Sequence, residues 1–220
     1  MIFSIEGNVG SGKSTLVNYL KQHFDDKSIN GKNVVFLQEP VSRWENIKEP
    51  SSGKNIIQLF YENQHKYSFS FQMLAYISRL NEITSALENT DNIIICERSV
   101  FTDCNVFAKM LYDTGKIQDV EYQIYNMWFD YFENKLAKHH FIYIRTSPEI
   151  CKGRVVKRNR KGEENITLDY LKSCDYYHNI WLDNYQKNKL LTIDGTSTEL
   201  SLVNMCHTIF NFIENSIELY

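Results

Sequence analysis

Gly7-Asn8-Val9-Gly10-Ser11-Gly12-Lys13-Ser14-Thr15 satisfies the pattern G-x-x-x-x-G-K-[ST] in full. The glycines let successive backbone N–H groups turn toward a polyphosphate, Lys13 can reach the terminal phosphates, and Ser14 can offer its hydroxyl to Mg²⁺. Ile2-Phe3-Ser4-Ile5 is a β-prone run just before the loop, and Leu16 to Lys21 continues as a helix whose N-terminal dipole favours an anion. A complete motif between a strand and a helix predicts a nucleoside-triphosphate site.

The rest of the chain sets limits on what surrounds that site. At 220 residues, with 9 glycines and 3 prolines, it is long enough to bury a substantial core and too poor in Gly and Pro for a linker-rich assembly, so one domain is expected over residues 1–220. A net charge of −3 argues against a nucleic-acid-coating surface. The 5 cysteines are scattered without a C-x-x-C pair, which suggests neither a zinc site nor a disulfide framework and fits a reducing compartment. With no leader before the first strand and no apolar window of membrane length, the chain is expected to start at its natural beginning and to be cytoplasmic.

Outward from the loop, a polar stretch ends in the turn signal Asn30-Gly31, and Asn33 to Gln38 reads as a buried strand closed by Glu39-Pro40. A carboxylate at the carboxyl end of a parallel strand lies where doubly wound sheets bind ligands, so Glu39 is either a candidate base or a solvated turn residue. Gly53 to Asn89 looks helical in two pieces. On the second, Gln72, Ala75 and Arg79 share one face, which suits recognition of a heterocycle edge or simply a solvated surface. Asp91 to Cys96 is the clearest central strand, followed directly by Glu97-Arg98-Ser99: Glu97 is a candidate Mg²⁺-side acid, Arg98 a phosphate or hydroxyl partner, and Ser99 a helix cap. Asp103 either complements that helix's dipole or pairs with Arg79.

Val120 to Lys138 carries an aromatic stripe of the kind found in cores and subunit interfaces. His139 and His140 open the next strand and point to opposite faces, which makes a metal site from the pair improbable. Ser147-Pro148 starts a helix that runs into Arg154, Arg158 and Arg160, three guanidiniums suited to the charge spread over a transferring phosphoryl group. Residues of about 157–166 are expected to form a lid over that group. Helices over 167–186 and 198–217 flank a last strand at 189–194. The alternation predicts an α/β P-loop fold with a five-stranded parallel sheet and helices on both faces.

Taken in order, Ile5 to Thr15, Glu39-Pro40-Val41-x-x-Trp44, Phe69-Ser70-Phe71-Gln72, Glu97-Arg98-Ser99-Val100-Phe101-x-Asp103 and Arg154-x-x-x-Arg158-x-Arg160-x-x-Glu163-Glu164 resemble cellular and viral deoxynucleoside kinases over nearly the whole chain. The resemblance implies transfer of the ATP γ-phosphoryl group, with Mg²⁺, to the 5′-hydroxyl of a deoxynucleoside in nucleotide salvage. It makes Glu39 the general base, Arg98 the holder of the 5′-hydroxyl and Glu97 the helper of Mg²⁺. Tyr61 and Glu163 correspond to the pair that binds the sugar 3′-hydroxyl, Gln72 to the reader of the base edge, and Trp44, Phe71 and Phe107 to the walls of the base site. Arg154, Arg158 and Arg160 correspond to lid arginines, with the donor adenine expected near Arg158 and the Asp194 turn. Ala75, Arg79 and Asp103 repeat the combination of members resembling deoxycytidine and deoxyguanosine kinase, which implies deoxycytidine and purine deoxynucleosides over thymidine. Lys161-Gly162 departs from the relatives' pattern, so Glu163 is identified as the sugar contact by spacing alone. A homodimer through the aromatic helix and residues 68–87 is expected by the same analogy, with no nucleic acid or membrane partner.

Two other classes share part of this signature. A nucleoside monophosphate kinase would need a second phosphate clamp in place of Glu39-Pro40. A GTPase-type switch would show N-K-x-D, which neither Asn188-Lys189-Leu190-Leu191 nor Asn134-Lys135-Leu136-Ala137 provides.

Overall fold

The computed structural model describes residues 1–24, 28–29, 31–88, 92–133, 135–136, 138–196 and 199–218. Asn30, Asn89, Asp91, Asn134, Ala137 and Thr198, which the sequence assigns to a turn or to element edges, lie outside the described residues. In chain order the elements are β1 (Ile2–Glu6), α1 (Lys13–Phe24), β2 (Val34–Leu37), α2 (Val41–Glu45), α3 (Ile56–Glu62), α4 (Gln64–Leu87) and β3 (Ile93–Glu97). After them, α5 (Val100–Thr102) passes through a π-helical segment, Asp103–Ala108, into α6 (Lys109–Asp113). The chain closes with α7 (Asp119–Glu133), β4 (His139–Arg145), α8 (Pro148–Arg158), α9 (Leu168–Leu182), β5 (Leu190–Asp194) and α10 (Glu199–Glu218).

All the strands are parallel, in a five-stranded sheet of order β2-β3-β1-β4-β5. The order places β1 beside β3 with Ile5 opposite Glu97, so the phosphate-type loop after β1 and the charged run after β3 emerge together. Such a crevice at the carboxyl ends of the strands is where open α/β sheets bind ligands. Strand alternation builds the two faces. Phe3 and Ile5 join Leu16, Val17 and Leu20 of α1 and Ile209 and Ile213 of α10, whereas Ile2 faces Ile83 of α4 with Ile94 and Cys96. Each such fully buried aliphatic side chain contributes about 1.5–3 kcal/mol of transfer free energy, which is why these two stripes fix the sheet's orientation between its helices.

Local chemistry sets the element ends. Asn63 closes α3 and caps α4, its side chain accepting from the Lys66 N–H at 3.2 Å, so the helical region after Gly53 divides in two as its pattern implies. Ser147 and Thr167 cap α8 and α9 in the same way, with Pro148 in the first turn of α8. The aromatic helix α7 ends at Glu133, short of the expected Lys138. Among the described residues, no helix is long and apolar enough to cross a membrane.

Candidate active site

The loop between β1 and α1 is held shut on itself. Lys13 Nζ donates to the Gly7 carbonyl at 3.1 Å and the Asn8 carbonyl at 2.7 Å, and the side chain is buried. Burial, followed by the Arg98 charge, pulls the Lys13 ammonium down to about 7, so it is poised to gain an anionic partner. Asn8 braces the turn, accepting from the Val9 N–H at 2.8 Å and donating to the Leu171 carbonyl at 2.8 Å. Gly10 has φ +83°, and a Cβ there would stand 2.6 Å from the Cys151 carbonyl oxygen, so loop and α8 approach as closely as they do only because the residue has no side chain. Ser14 Oγ donates to Glu97 Oε1 at 2.7 Å. These two hard oxygens, one from α1 and one from the end of β3, suit a Mg²⁺ ion that takes its remaining ligands from phosphate and water. Among the described residues no group of three or more His, Cys, Asp or Glu side chains could hold a metal by itself.

Glu39, just past β2, lies between two buried guanidiniums: Arg79 Nη2 is 3.0 Å and Arg98 Nε 3.3 Å from its Oε1. Burial pushes this carboxyl up, but Arg98, Arg79 and Lys13 outweigh it and hold the group below the usual glutamate range. Arg79 reaches Glu39 from α4 and is itself clamped, Nε donating to Asp103 Oδ2 at 2.8 Å and Nη1 to the Glu97 carbonyl at 2.8 Å. Burial works against its charge, yet Asp103 and Glu39 more than compensate and its pKa is raised. Asp103 begins the π-helical segment, a distortion often found at functional sites. Arg98 carries φ +64°, a left-handed conformation rare for a residue with a side chain, and its Nη1 donates to the Gly7 carbonyl at 3.0 Å.

The loop, the cluster and the residues from Arg154 to Glu163 at and after the end of α8 line one cavity of about 980 Å³. Gln72 is among the lining residues, 2% exposed, and its Oε1 has no hydrogen-bond partner among the described residues, an acceptor that a ligand donor would satisfy. Trp44 and Phe71 meet edge to face there at 5.5 Å, and Trp44 Nε1 is fixed by Ser78 Oγ at 2.9 Å. Phe107 lies under the Arg98 guanidinium at 4.9 Å. Beyond the end of α8, Glu163 accepts from Arg158 Nη2 at 2.6 Å and Arg160 Nη1 at 3.4 Å. Tyr61 lines the same wall, its hydroxyl pKa raised by burial and then by the Glu163 charge.

The structure therefore brings together Glu39, Trp44, Tyr61, Phe71, Gln72, Ala75, Arg79, Glu97, Arg98, Asp103, Phe107, Arg154, Arg158, Arg160 and Glu163 with residues 9–15 of the loop. Gly7 and Asn8 do not line the cavity; their carbonyls hold Lys13 instead. Asp194 stays outside it and binds the Thr196 N–H at 2.9 Å, while its neighbour Gly195 forms the wall. That wall also contains Leu202 and Met205 of α10 and Ile144 of β4, which sequence reasoning missed. Leu202 and Met205 are three residues apart on one helical face, a spacing that reads as ordinary core because nothing local says that this end of the stripe borders a crevice.

A strand-end carboxylate between arginines, opposite a lysine-bearing phosphate loop, suits phosphoryl transfer to a hydroxyl. Comparison with known proteins agrees. The deoxynucleoside kinase family model matches residues 3–218. Deoxycytidine kinase 2 of Gallus gallus is 36% identical over 84% of this chain and 74% of its own length. The corresponding values are 34%, 87% and 82% for deoxycytidine kinase of Bos taurus, and 35%, 99% and 88% for a probable deoxycytidine kinase of Fowlpox virus (strain NVSL). With the family model matching nearly its whole length, this chain belongs to the deoxynucleoside kinase family, phosphotransferases that act on deoxynucleosides.

Proposed function

We propose that this protein transfers the γ-phosphoryl group of ATP to the 5′-hydroxyl of deoxycytidine and purine deoxynucleosides in preference to thymidine, as one kinase domain over residues 1–220 with a lid near 157–166. The observation that carries the reading is the position of Glu39, held at 3.0 Å from Arg79 and 3.3 Å from Arg98 in the cavity that Lys13 and Ser14 also line. Glu39 takes the 5′-hydroxyl proton while Arg98 orients that hydroxyl. Lys13, Arg154, Arg158 and Arg160 stabilise charge on the phosphoryl oxygens, the main demand in such a transfer. Ser14 and Glu97 would hold Mg²⁺, whose charge offsets that of the triphosphate. Tyr61 and Glu163 hold the sugar 3′-hydroxyl, and the donor base lies against Gly195 and Arg158, close to the Asp194 turn.

Base choice follows from hydrogen-bond chemistry. The unpartnered Gln72 Oε1 can accept from the exocyclic amino group of cytosine or adenine while its amide donates to the adjacent ring nitrogen. Ala75 leaves room beside it, and the Arg79–Asp103 pair presents charge where the thymine methyl group would need an apolar wall. Trp44, Phe71 and Phe107 supply the flanking surfaces. A homodimer is supported by the apolar side chains that α7 leaves exposed, among them Val120 at 67% and Met127 at 62%. We place the enzyme in the cytoplasm, without nucleic-acid or membrane partners.

The test is a panel in which ATP consumption is followed with each deoxynucleoside and each deoxynucleoside monophosphate. Deoxycytidine should stimulate strongly and thymidine weakly. Stimulation by monophosphates alone would make the enzyme a monophosphate kinase, and equal turnover of thymidine would refute the base preference.

A further inference from the structure

Glu6, the last residue of β1, is 0% exposed and does not line the cavity, so the chemistry proposed above makes no use of it. Its Oε1 accepts from Ser99 Oγ at 2.6 Å and its Oε2 from Thr102 Oγ1. Among the described residues no cationic side chain forms an ion pair with it. Burial raises its pKa, and the two hydroxyls, Arg98 and Arg79 pull it back. A buried carboxylate is a costly way to fill a sheet position when Ile2 and Ile94 fill the same layer without polar atoms. It must serve something that an aliphatic side chain could not.

The residue directly before Ser99 is Arg98, which hydrogen-bonds to both chain neighbours of Glu6. The left-handed backbone at φ +64° is a conformation that a side chain disfavours and that surrounding contacts must enforce. Besides the ion pair with Glu39 and the packing on Phe107, three contacts to Arg98 and Ser99 come from residues 5–7. The Arg98 N–H donates to the Ile5 carbonyl at 3.0 Å, its Nη1 to the Gly7 carbonyl at 3.0 Å, and the next residue's hydroxyl to Glu6. Ser99 also caps α5, accepting from the Thr102 N–H at 3.3 Å, so Glu6 grips the cap and the first helical turn together. The Gly7 carbonyl that receives Arg98 also receives Lys13 at 3.1 Å, which ties the hydroxyl-side arginine and the phosphate-side lysine to one atom.

We propose that Glu6 is a positioning residue for phosphoryl transfer: by holding the Ser99 and Thr102 hydroxyls it keeps Arg98 in its left-handed conformation and so fixes the spacing between the phosphate loop and Glu39. The inference rests on the role of Arg98 proposed above. Loss of Glu6 should therefore act on turnover through Arg98, whereas a merely structural Glu6 would act independently of it.

A double-mutant cycle of Glu6→Gln and Arg98→Ala separates these outcomes, with kcat and KM measured at saturating second substrate. Glu6→Gln keeps the side-chain shape but replaces one acceptor oxygen by a donor, and kcat should fall about 10–100-fold with each KM changed less than about threefold. In the Arg98→Ala background the same substitution should change kcat by less than about twofold. An equal loss in both backgrounds, or a lower melting temperature with kcat intact, would overturn the inference. If Arg98→Ala itself leaves kcat unchanged, the proposed role of Arg98 fails first and the inference falls with it. Should Glu6→Gln not fold, Thr102→Val removes one of the two hydroxyls without changing shape and carries the same comparison with the same expected non-additivity.

Discussion

Replacing Glu39 by Gln keeps the side-chain volume and removes only the charge and the proton acceptor. The two flanking guanidiniums respond unequally. Arg79 retains Asp103 at 2.8 Å and the Glu97 carbonyl at 2.8 Å, whereas Arg98 retains the Gly7 carbonyl at 3.0 Å and loses its carboxylate at 3.3 Å. The variant should therefore fold, with its main defect at the hydroxyl that Arg98 and Glu39 share. Loss of a positioned general base costs about 10²–10⁴ in rate, or about 3–5 kcal/mol of transition-state stabilisation. The deoxynucleoside KM should move less than about tenfold, because Gln72, Trp44 and Phe71 stand apart from the change. An assay coupled to ADP release, with deoxycytidine and ATP both saturating, reads kcat directly. Unchanged turnover, or a defect confined to KM, would refute the role of base. The wild-type pH profile supplies a second check. Arg98, Arg79 and Lys13 depress the Glu39 carboxyl, so activity should persist as pH falls through the ordinary glutamate range and be lost only below it. The stabilisation from its ion pairs follows the same sign, being present above the unfolded-state value and lost as pH falls through the depressed one.

Other parts of the site respond differently. With burial and Arg98 pulling the Lys13 ammonium down to about 7, a bound triphosphate should restore its charge; calorimetry at pH 7 in buffers of different ionisation enthalpy should show uptake of about half a proton, and affinity should weaken as pH rises further. Arg79→Met leaves Asp103 buried at 2% exposure without its partner and should cost about 3–5 kcal/mol in urea unfolding. The double variant Arg79→Met/Asp103→Ala should recover much of that loss and shift kcat/KM toward thymidine by tenfold or more, about 1.4 kcal/mol. At Gly162, with φ +97°, an added Cβ would meet Gln58 Cγ at 2.9 Å and strain the backbone. Gly162→Ala should thus displace Glu163 and raise the KM of deoxycytidine about tenfold, an effect of about 1–2 kcal/mol, with little change for an analogue lacking the 3′-hydroxyl.

Local features of the fold could be read directly. The phosphate loop, the capped start at Ser147-Pro148 and the run Ile93–Ile95 each carry their signal within a few residues, and together they determine a parallel sheet. The face formed by Gln72, Ala75 and Arg79 could not be assigned from periodicity, which fits a solvated surface as well as a site. It is buried at 2%, 4% and 3% because neighbouring elements cover it, Ala75 packing with Trp44, Ile56 and Ile57 and Arg79 pairing with Asp103, a tertiary fact without a local trace. Asp103 presented the same choice, helix dipole or partner of Arg79, and the structure places it 2.8 Å from Arg79 Nε. The π-helical segment at Asp103–Ala108, against which α4 and α9 both pack, has no marker in the sequence. Along α7 the aromatic stripe divides, Tyr125 and Phe129 turning into the core while Met127, Trp128 and Tyr131 face outward. Composition alone does not separate those two faces.

The central claim is that phosphate leaves a triphosphate at the Gly7–Thr15 loop and arrives on a nucleoside hydroxyl beside Glu39. Incubation with γ-³²P-labelled ATP, Mg²⁺ and deoxycytidine, followed by identification of the labelled product, tests it most directly. The account predicts label in deoxycytidine 5′-monophosphate, formed with ADP in equal amount and nearly abolished by Glu39→Gln. Label appearing only when a nucleoside monophosphate is supplied, or release of inorganic phosphate unaffected by deoxycytidine, would contradict it.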